Sequence, residues 1–153
     1  MAEIIFREVE PDEVKIFVRK FGKYIEYYNC FHFGEDCYSL AAYDGSEPVG
    51  FISIYTKALI PPLADKTDAY IDAIEVDTYY QRRGIASKMI ELSEHWAKER
   101  GYRQIRAWSS DDKIKAINMW YALGYCLCPA TEGFRPHDSN PPIGYYVAKI
   151  LSP

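Results

Sequence analysis

The sequence lacks an excess of positive charge and any long hydrophobic run. Its 18 Lys and Arg residues stand against 22 Asp and Glu, which gives a net charge of -4. A nucleic-acid-binding surface needs a basic face to neutralise phosphates. Neither a membrane span nor a signal peptide fits into the apolar segments present. We therefore expect a cytoplasmic protein with no nucleic-acid partner and no membrane partner.

Metal and redox motifs are also missing. The four cysteines include no C-x-x-C pair, and the spacing of the histidines, His32, His95 and His137, fits no common metal site. We expect reduced thiols and no metal. Each histidine is interpreted as an ordinary surface or pocket residue, and none is assigned a catalytic role.

Tyrosine, by contrast, is abundant. The chain has 153 residues, of which 48% are hydrophobic and 26% charged, and 14 are tyrosines. This length and composition predict a single globular domain over residues 1–153. Because each buried tyrosine hydroxyl needs a hydrogen-bond partner, 14 tyrosines exceed what a core of this size accommodates, and some are expected to line a pocket.

Hydrophobic periodicity predicts the order strand, helix, three strands, helix, strand, helix, two strands. The predicted strands are residues 4–9, 37–43, 49–57, 69–76, 104–108, 125–129 and 144–151. The first helix opens at Pro11, the second runs from Gly84 to Gly101, and the third ends at Leu123. This order indicates an α+β (α/β) fold with a mixed, mostly antiparallel central sheet of about seven strands and helices on both faces.

A segment suited to phosphate binding follows the fourth strand. The strand leads through Gln81-Arg82-Arg83-Gly84-Ile85-Ala86-Ser87 directly into a helix. Backbone N–H groups at such a turn point outward, and the helix dipole adds positive potential. The segment is neither a G-x-G-x-x-G motif nor a P-loop, since both need residues that are missing here. An ordinary strand-to-helix turn with solvated arginines is the alternative from the residues alone.

Two segments resemble signatures of the GNAT superfamily of N-acetyltransferases. The first is Ile74-Glu75-Val76 followed by Gln81 to Ala86, which is similar to the family's Q/R-x-x-G-x-G/A motif after a hydrophobic strand. The second is the segment from Ala116 to Tyr125, which looks like the family signature ending in Leu-Gly-Phe. The resemblance covers about residues 69 to 125. It implies an acetyl-CoA-dependent transferase that acts on a primary amine of a small molecule or peptide.

The resemblance also implies where acetyl-CoA would bind. The pantetheine arm would lie in a V-shaped opening between the fourth and fifth strands, with the N–H of Val76 facing the thioester carbonyl. The pyrophosphate would bind the N–H groups from Arg82 to Ser87, and Trp120 would pack against the arm. The cofactor-binding residues expected on this basis are Ile74, Val76, Gln81, Arg82, Arg83, Gly84, Ile85, Ala86, Ser87 and Trp120.

The catalytic residues are less well defined. An amine is mostly protonated at neutral pH and must lose a proton before it attacks a thioester. Asp72 and Glu75 are the candidate bases; strand alternation places them on opposite faces of the sheet, and Glu75 is slightly preferred. Many relatives have a tyrosine acid at the position of Trp120. Tyr121 is one residue further on, and it is interpreted either as the acid or as a core tyrosine.

Aromatic residues after the first helix are candidates for the acceptor site. Tyr27, Tyr28 and Phe31, together with the loop 130–143, are expected to lie near the amine. Aromatic faces on an acidic protein suit a cation, although the same residues would serve as the packing of a lid or the interface of a homodimer. An acyl-CoA-binding regulatory module with weak or no catalysis is the alternative function, because the usual acid is missing.

Overall fold

The computed structural model describes residues 3–59, 61–130 and 144–151. Two short 3-10 helices lie at Pro11–Glu13 and Thr78–Tyr80. The strands are β1 (Ile4–Glu8), β2 (Cys37–Asp44), β3 (Glu47–Ala58), β4 (Thr67–Val76), β5 (Gln104–Ser110), β6 (Cys126–Ala130) and β7 (Gly144–Ile150). The helices are α1 (Val14–Phe21), α2 (Tyr24–Tyr27), α3 (Ile85–Glu99) and α4 (Ile114–Ala122).

The seven strands form one sheet in the order β1-β2-β3-β4-β5-β7-β6. All neighbours are antiparallel except β4 and β5, which are parallel. One apolar cluster joins the sheet to α1 and α2, and a second joins its other face to α3 and α4. We call these the α1 face and the α3 face. The predicted mixed sheet with helices on both faces is confirmed. Within the described residues, no helix has the length and apolar character needed to cross a membrane.

The parallel pair β4 and β5 separates soon after it forms. The two strands pair only from Ala69 to Ile71 on β4 and from Ile105 to Ala107 on β5. Beyond Ile71, β4 stays paired with β3 as far as Val76, while β5 continues alongside β7. Among the described residues, the β4 edge from residue 72 to 76 therefore has no strand partner on its β5 side, and a V-shaped opening results.

A β-bulge in β4 lies at the vertex of this opening. Ser53 of β3 faces Ala73 and Ile54 faces Ile71, so that Asp72 is an extra residue on β4. The bulge shifts the alternation of side chains by one position. Asp72 and Glu75 consequently both point to the α1 face, where they meet residues from the α1–β2 region. The expectation that they lie on opposite faces was wrong, because it assumed a regular strand.

An aromatic cluster fixes α1 and α2 on the sheet. The rings of Phe17, Phe21 and Phe31 all contact Phe51 of β3, with centroids 5.0 to 5.9 Å apart. Phe31, predicted as a substrate residue, is only 4% exposed and belongs to this core. Its position in the cluster is set by packing, and it offers no free surface to a ligand.

We expect Phe51→Ala to lower the free energy of unfolding by about 3–5 kcal/mol, because a fully buried ring is removed and a cavity remains. Phe33→Ala is the control, since this ring is 40% exposed and should cost less. Urea unfolding followed by circular dichroism measures both. Equal losses for the two variants would contradict the central position of Phe51.

Candidate active site

A cavity of about 780 Å³ opens at the end of β4. It brings together the end of β4, the segment before α3, the first turn of α3 and one side of α4. The lining residues that the sequence predicted are Ile74, Glu75, Val76, Gln81, Arg82, Gly84, Ile85, Ala86 and Ser87. Lys20 and Phe21 of α1 and Lys115 and Asn118 of α4 complete much of the wall. The predicted phosphate segment and the V-shaped opening thus belong to one cavity.

The segment before α3 has the backbone of an anion-binding turn. Gly84, at the N-cap of α3, has a φ of 77°, and Arg82 has a φ of 62°. A left-handed conformation is uncommon for a residue with a Cβ, and here it is held within a turn whose N–H groups precede a 15-residue helix. The side-chain amide of Gln81 donates to the Val76 carbonyl at 3.1 Å. This bond fixes the turn against the end of β4.

Further polar contacts tie this turn to the rest of the protein. Lys20 of α1 forms an ion pair with Asp77 at 2.9 Å, and this lysine lowers the pKa of the Asp77 carboxyl. The Tyr80 hydroxyl donates to Asp44 at 2.7 Å, and the Arg83 guanidinium lies over the Tyr80 ring. Arg83 does not line the cavity, in contrast to Arg82. The turn is therefore held from both sides before any ligand binds.

Glu75 and Asp77 both line the cavity, and Glu75 is the one without a lysine partner. The hydroxyl of Tyr24, on α2, donates a hydrogen bond to its Oε2. Burial raises the pKa of Glu75, and the positive charge of Lys113 opposes this effect. Tyr24 was missed by sequence reasoning because 51 residues separate it from Glu75, and no local pattern indicates the contact. A partly buried carboxyl with a raised pKa can both accept and return a proton.

Asp72 takes part in a second pair on the same face. Its Oδ2 lies 2.8 Å from Nε2 of His32, and the two side chains are 31% and 22% exposed. The imidazole packs on the Tyr55 ring at 4.4 Å. Ser39 bonds the backbone N–H and carbonyl of His32, which anchors its loop to β2. The sequence analysis gave His32 no role, whereas the structure joins it to a predicted base.

Most of the chain matches a known protein family. The profile of the acetyltransferase (GNAT) family matches residues 3–125. The chain belongs to this family. The predicted family and the predicted enzyme class, an acetyltransferase, are thereby confirmed. The match begins well before residue 69, where the resemblance of the two signatures starts.

Solved structures of GNAT proteins share the fold along nearly the whole chain. Arabidopsis thaliana NAA60 in complex with a bisubstrate analogue is 19% identical, with a TM-score of 0.77 over 97% of this chain and 98% of that one. A putative streptothricin acetyltransferase from Bacillus anthracis in complex with acetyl coenzyme A is 16% identical, with a TM-score of 0.75 over 97% and 99%. The ribosomal-protein-S18-alanine N-acetyltransferase from Escherichia coli is 15% identical, with a TM-score of 0.73 over 98% and 95%. No curated protein matches the sequence.

Helix α4 carries most of the second GNAT signature, but neither Trp120 nor Tyr121 lines the cavity. Trp120 is 3% exposed and packs edge-to-face on Tyr125 with ring centroids 4.8 Å apart, so its indole lies in the core and not in the cavity lining. Tyr121 is 74% exposed and also lies outside the lining. Its interpretation as a core tyrosine was wrong, because the stripe that it shares with Ile114 faces outward.

The aromatic residues predicted for the acceptor site are only partly near it. Tyr27 and Tyr28 are exposed and pack on each other with ring centroids 4.8 Å apart, and neither lines the cavity. The loop 130–143 lies outside the described residues, apart from Ala130 at the end of β6. The described residues gather no cluster of three or more metal-ligating side chains.

The raised pKa of Glu75 predicts a pH-dependent stability effect. Since the folded-state pKa lies above that of the unfolded chain, the ionised carboxylate costs stability, and the cost appears as the pH rises through these values. Glu75→Gln keeps an oxygen for Tyr24 and carries no charge. We expect it to raise Tm at neutral pH and to change Tm little below about pH 4.

Thermal unfolding at both pH values measures this difference. Glu26→Gln, at an exposed position on α2, is the control and should shift Tm by a similar small amount at each pH. An equal shift at the two pH values for Glu75→Gln would contradict the effect of burial.

Proposed function

We propose that this GNAT protein transfers an acetyl group from acetyl-CoA directly to a primary amine of a small molecule or peptide. One observation carries the proposal: a single cavity joins an anion-binding turn to the open edge of β4. A ligand with a charged diphosphate and a long amide-containing arm matches both parts. The bisubstrate-analogue and acetyl-coenzyme-A complexes of proteins with this fold support the choice of ligand.

Acetyl-CoA would bind along the turn and the strand edge. The N–H groups from Arg82 to Ser87 face the pyrophosphate, assisted by the dipole of α3. The pantetheine amides pair with the backbone of Ile74 and Val76, since this edge of β4 has no strand partner on its β5 side. The acyl group then lies toward the vertex of the V. A backbone N–H in that position stabilises the oxyanion of the tetrahedral intermediate.

Glu75 is the group that we assign to proton transfer at the sulfur. When the amine has attacked, its nitrogen must still lose a proton, and the departing thiolate benefits from gaining one. Glu75 accepts the proton from nitrogen and returns it to sulfur, and its raised pKa suits both steps. Tyr24 holds the carboxylate in place through its hydroxyl. This role replaces the tyrosine acid that Trp120 excludes.

The phosphate assignment is tested by Gly84→Asp, which adds a negative charge and a Cβ at a left-handed position in the turn. We expect the affinity for CoA to fall about 100-fold or more, because the added carboxylate would repel the pyrophosphate. Isothermal titration calorimetry measures it. Gly101→Asp is the matched control: its φ is 82°, its surroundings are equally open, and it lies at the other end of the same helix. Unchanged affinity in Gly84→Asp would refute the assignment.

The transfer reaction is tested by thiol release from acetyl-CoA with polyamines, aminoglycosides, amino acids and peptide N-termini. We expect turnover with at least one class, and a kcat about 100-fold lower for Glu75→Gln at unchanged CoA affinity. Tyr24→Phe should lose less, because the carboxylate is retained. Tight CoA binding with no turnover on any class would instead support an acyl-CoA-binding regulatory module, which the buried Trp120 makes the second candidate.

A further inference from the structure

The pair formed by His32 and Asp72 is not used by the function proposed above. Its 2.8 Å contact engages Nε2 of the imidazole. An ionised carboxylate only accepts hydrogen bonds, so the proton of a neutral His32 belongs on Nε2. Within 3–59, 61–130 and 144–151, nothing hydrogen-bonds to the other ring nitrogen, Nδ1. Nδ1 of His32 therefore carries an unshared electron pair, and the contact of Nε2 with the Asp72 carboxylate fixes its direction.

The surroundings of the pair keep the ring in place. The Ser39 hydroxyl accepts from the backbone N–H of His32 and donates to its carbonyl, and the side chain of the preceding residue, Phe31, is buried. The Tyr55 ring of β3 packs against the imidazole. The thiol of Cys30 contacts the Tyr24 carbonyl at 3.8 Å, and burial, followed by the negative charge of Asp72, raises its pKa. An anchored imidazole of this kind has the arrangement of a base and its orienting carboxylate.

The position of the pair in the fold relates it to the acyl end of the site. Asp72 is the bulge residue at the vertex of the V, two residues before Ile74, the first β4 residue that lines the cavity. The bulge points Asp72 to the same face as Glu75. Asp72 and Glu75 are three positions apart along β4, a backbone distance of roughly 10 Å in a strand without a bulge. His32 and Asp72 do not line the cavity themselves; they lie beside the vertex on the α1 face, next to the β4 wall of the cavity.

We propose that His32, oriented by Asp72, takes the first proton from the acceptor amine. The inference rests on the proposed function. The acceptor enters as R–NH3⁺ and gives one proton to Nδ1, which leaves a nitrogen lone pair and a doubly protonated imidazole next to the Asp72 carboxylate. The free amine attacks the thioester carbon, and the C–S bond breaks. The second proton goes by way of Glu75 to the thiolate, and His32 returns its proton to water.

Two proton acceptors match the stoichiometry of the reaction. An ammonium nitrogen that becomes an amide nitrogen loses two protons, one before attack and one as the intermediate collapses. A single carboxyl would have to discharge between the two steps. Histidine is the side chain that changes protonation most readily near physiological pH, which suits the first of them. Asp72 acts as a positioning residue in this scheme, because it contacts the imidazole and not the amine.

The first test compares His32→Gln with His95→Gln. Glutamine at position 32 retains a donor for Asp72 and lacks a basic nitrogen. We expect kcat to fall about 100-fold or more, while the KM for acetyl-CoA and the Kd for CoA stay within about twofold. His95 is the matched control, since its Nε2 pairs with Glu99 at 3.1 Å on the exposed side of α3. Its replacement should leave kcat unchanged.

Asp72→Asn tests the positioning role. An asparagine amide can donate to Nε2 and so move the proton of the neutral ring to Nδ1, which removes the lone pair. We expect about a tenfold or larger loss in kcat, again without loss of CoA affinity. Full activity in this variant would overturn the role of Asp72.

The tautomer gives a readout that is independent of turnover. In ¹⁵N-labelled protein saturated with CoA, long-range ¹H–¹⁵N spectra above neutral pH should show His32 protonated on Nε2, with the signals assigned by their loss in His32→Gln. A proton on Nδ1, or a His32→Gln variant as fast as the wild-type protein, would overturn the inference. Failure of the proposed function shows itself differently, as a wild-type protein that binds CoA and acetylates no amine.

Discussion

The separation of β4 from β5 is the constraint on which the rest of the site depends. Had the two strands stayed paired beyond Ile71, the backbone of β4 from residue 72 to 76 would face β5. Backbone N–H and carbonyl groups need partners, and an edge inside a folded domain is usually covered. Here the edge borders a cavity whose opposite wall is α4. The same strand then ends in the turn before α3, so a strand edge and a helix N-terminus become two parts of one binding surface.

The bulge at Asp72 divides this surface chemically. After the bulge, Ile74 and Val76 pack toward the α3 face. The carboxylates of Asp72 and Glu75 are both directed to the α1 face. In a regular strand with Glu75 on the α1 face, Asp72 would point into the apolar cluster under α3, where an unpaired carboxylate is costly. One inserted residue thus leaves the α3 side apolar and gathers the ionisable groups on the other side. Tyr24 and His32 reach these groups from the α1–β2 region, which the Phe51 cluster holds against the sheet.

The sequence predicted the parts of the site that depend on local pattern. The turn from Gln81 to Ser87 is recognisable because its glycine, its arginines and the following helix are contiguous. The succession of strands and helices along the chain follows from periodicity, whereas their order in the sheet was not predicted. The bulge could not be predicted, since a one-residue change of register leaves composition and hydrophobicity unaltered. The contacts of His32 with Asp72 and of Tyr24 with Glu75 span 40 and 51 residues and are set by packing. The burial of Phe31 is likewise set by packing, and sequence alone cannot distinguish an aromatic residue next to a site from one beneath it.

Trp120 changes how proton transfer has to be organised. The GNAT resemblance implies that a tyrosine at this position would give the thiolate its proton from the side of α4. Here that side presents an indole packed on Tyr125, and Lys115 and Asn118 face the cavity instead. Asp72 and Glu75, the candidate bases on β4, both lie on the α1 face, and each is paired with a different partner, an imidazole and a phenol. Two groups of unlike basicity are better suited to two successive proton transfers than one carboxyl, because each can be matched to its own step. A tryptophan in place of the α4 tyrosine therefore fits the proposed scheme, in which the proton-transfer groups lie on the α1 face of the sheet.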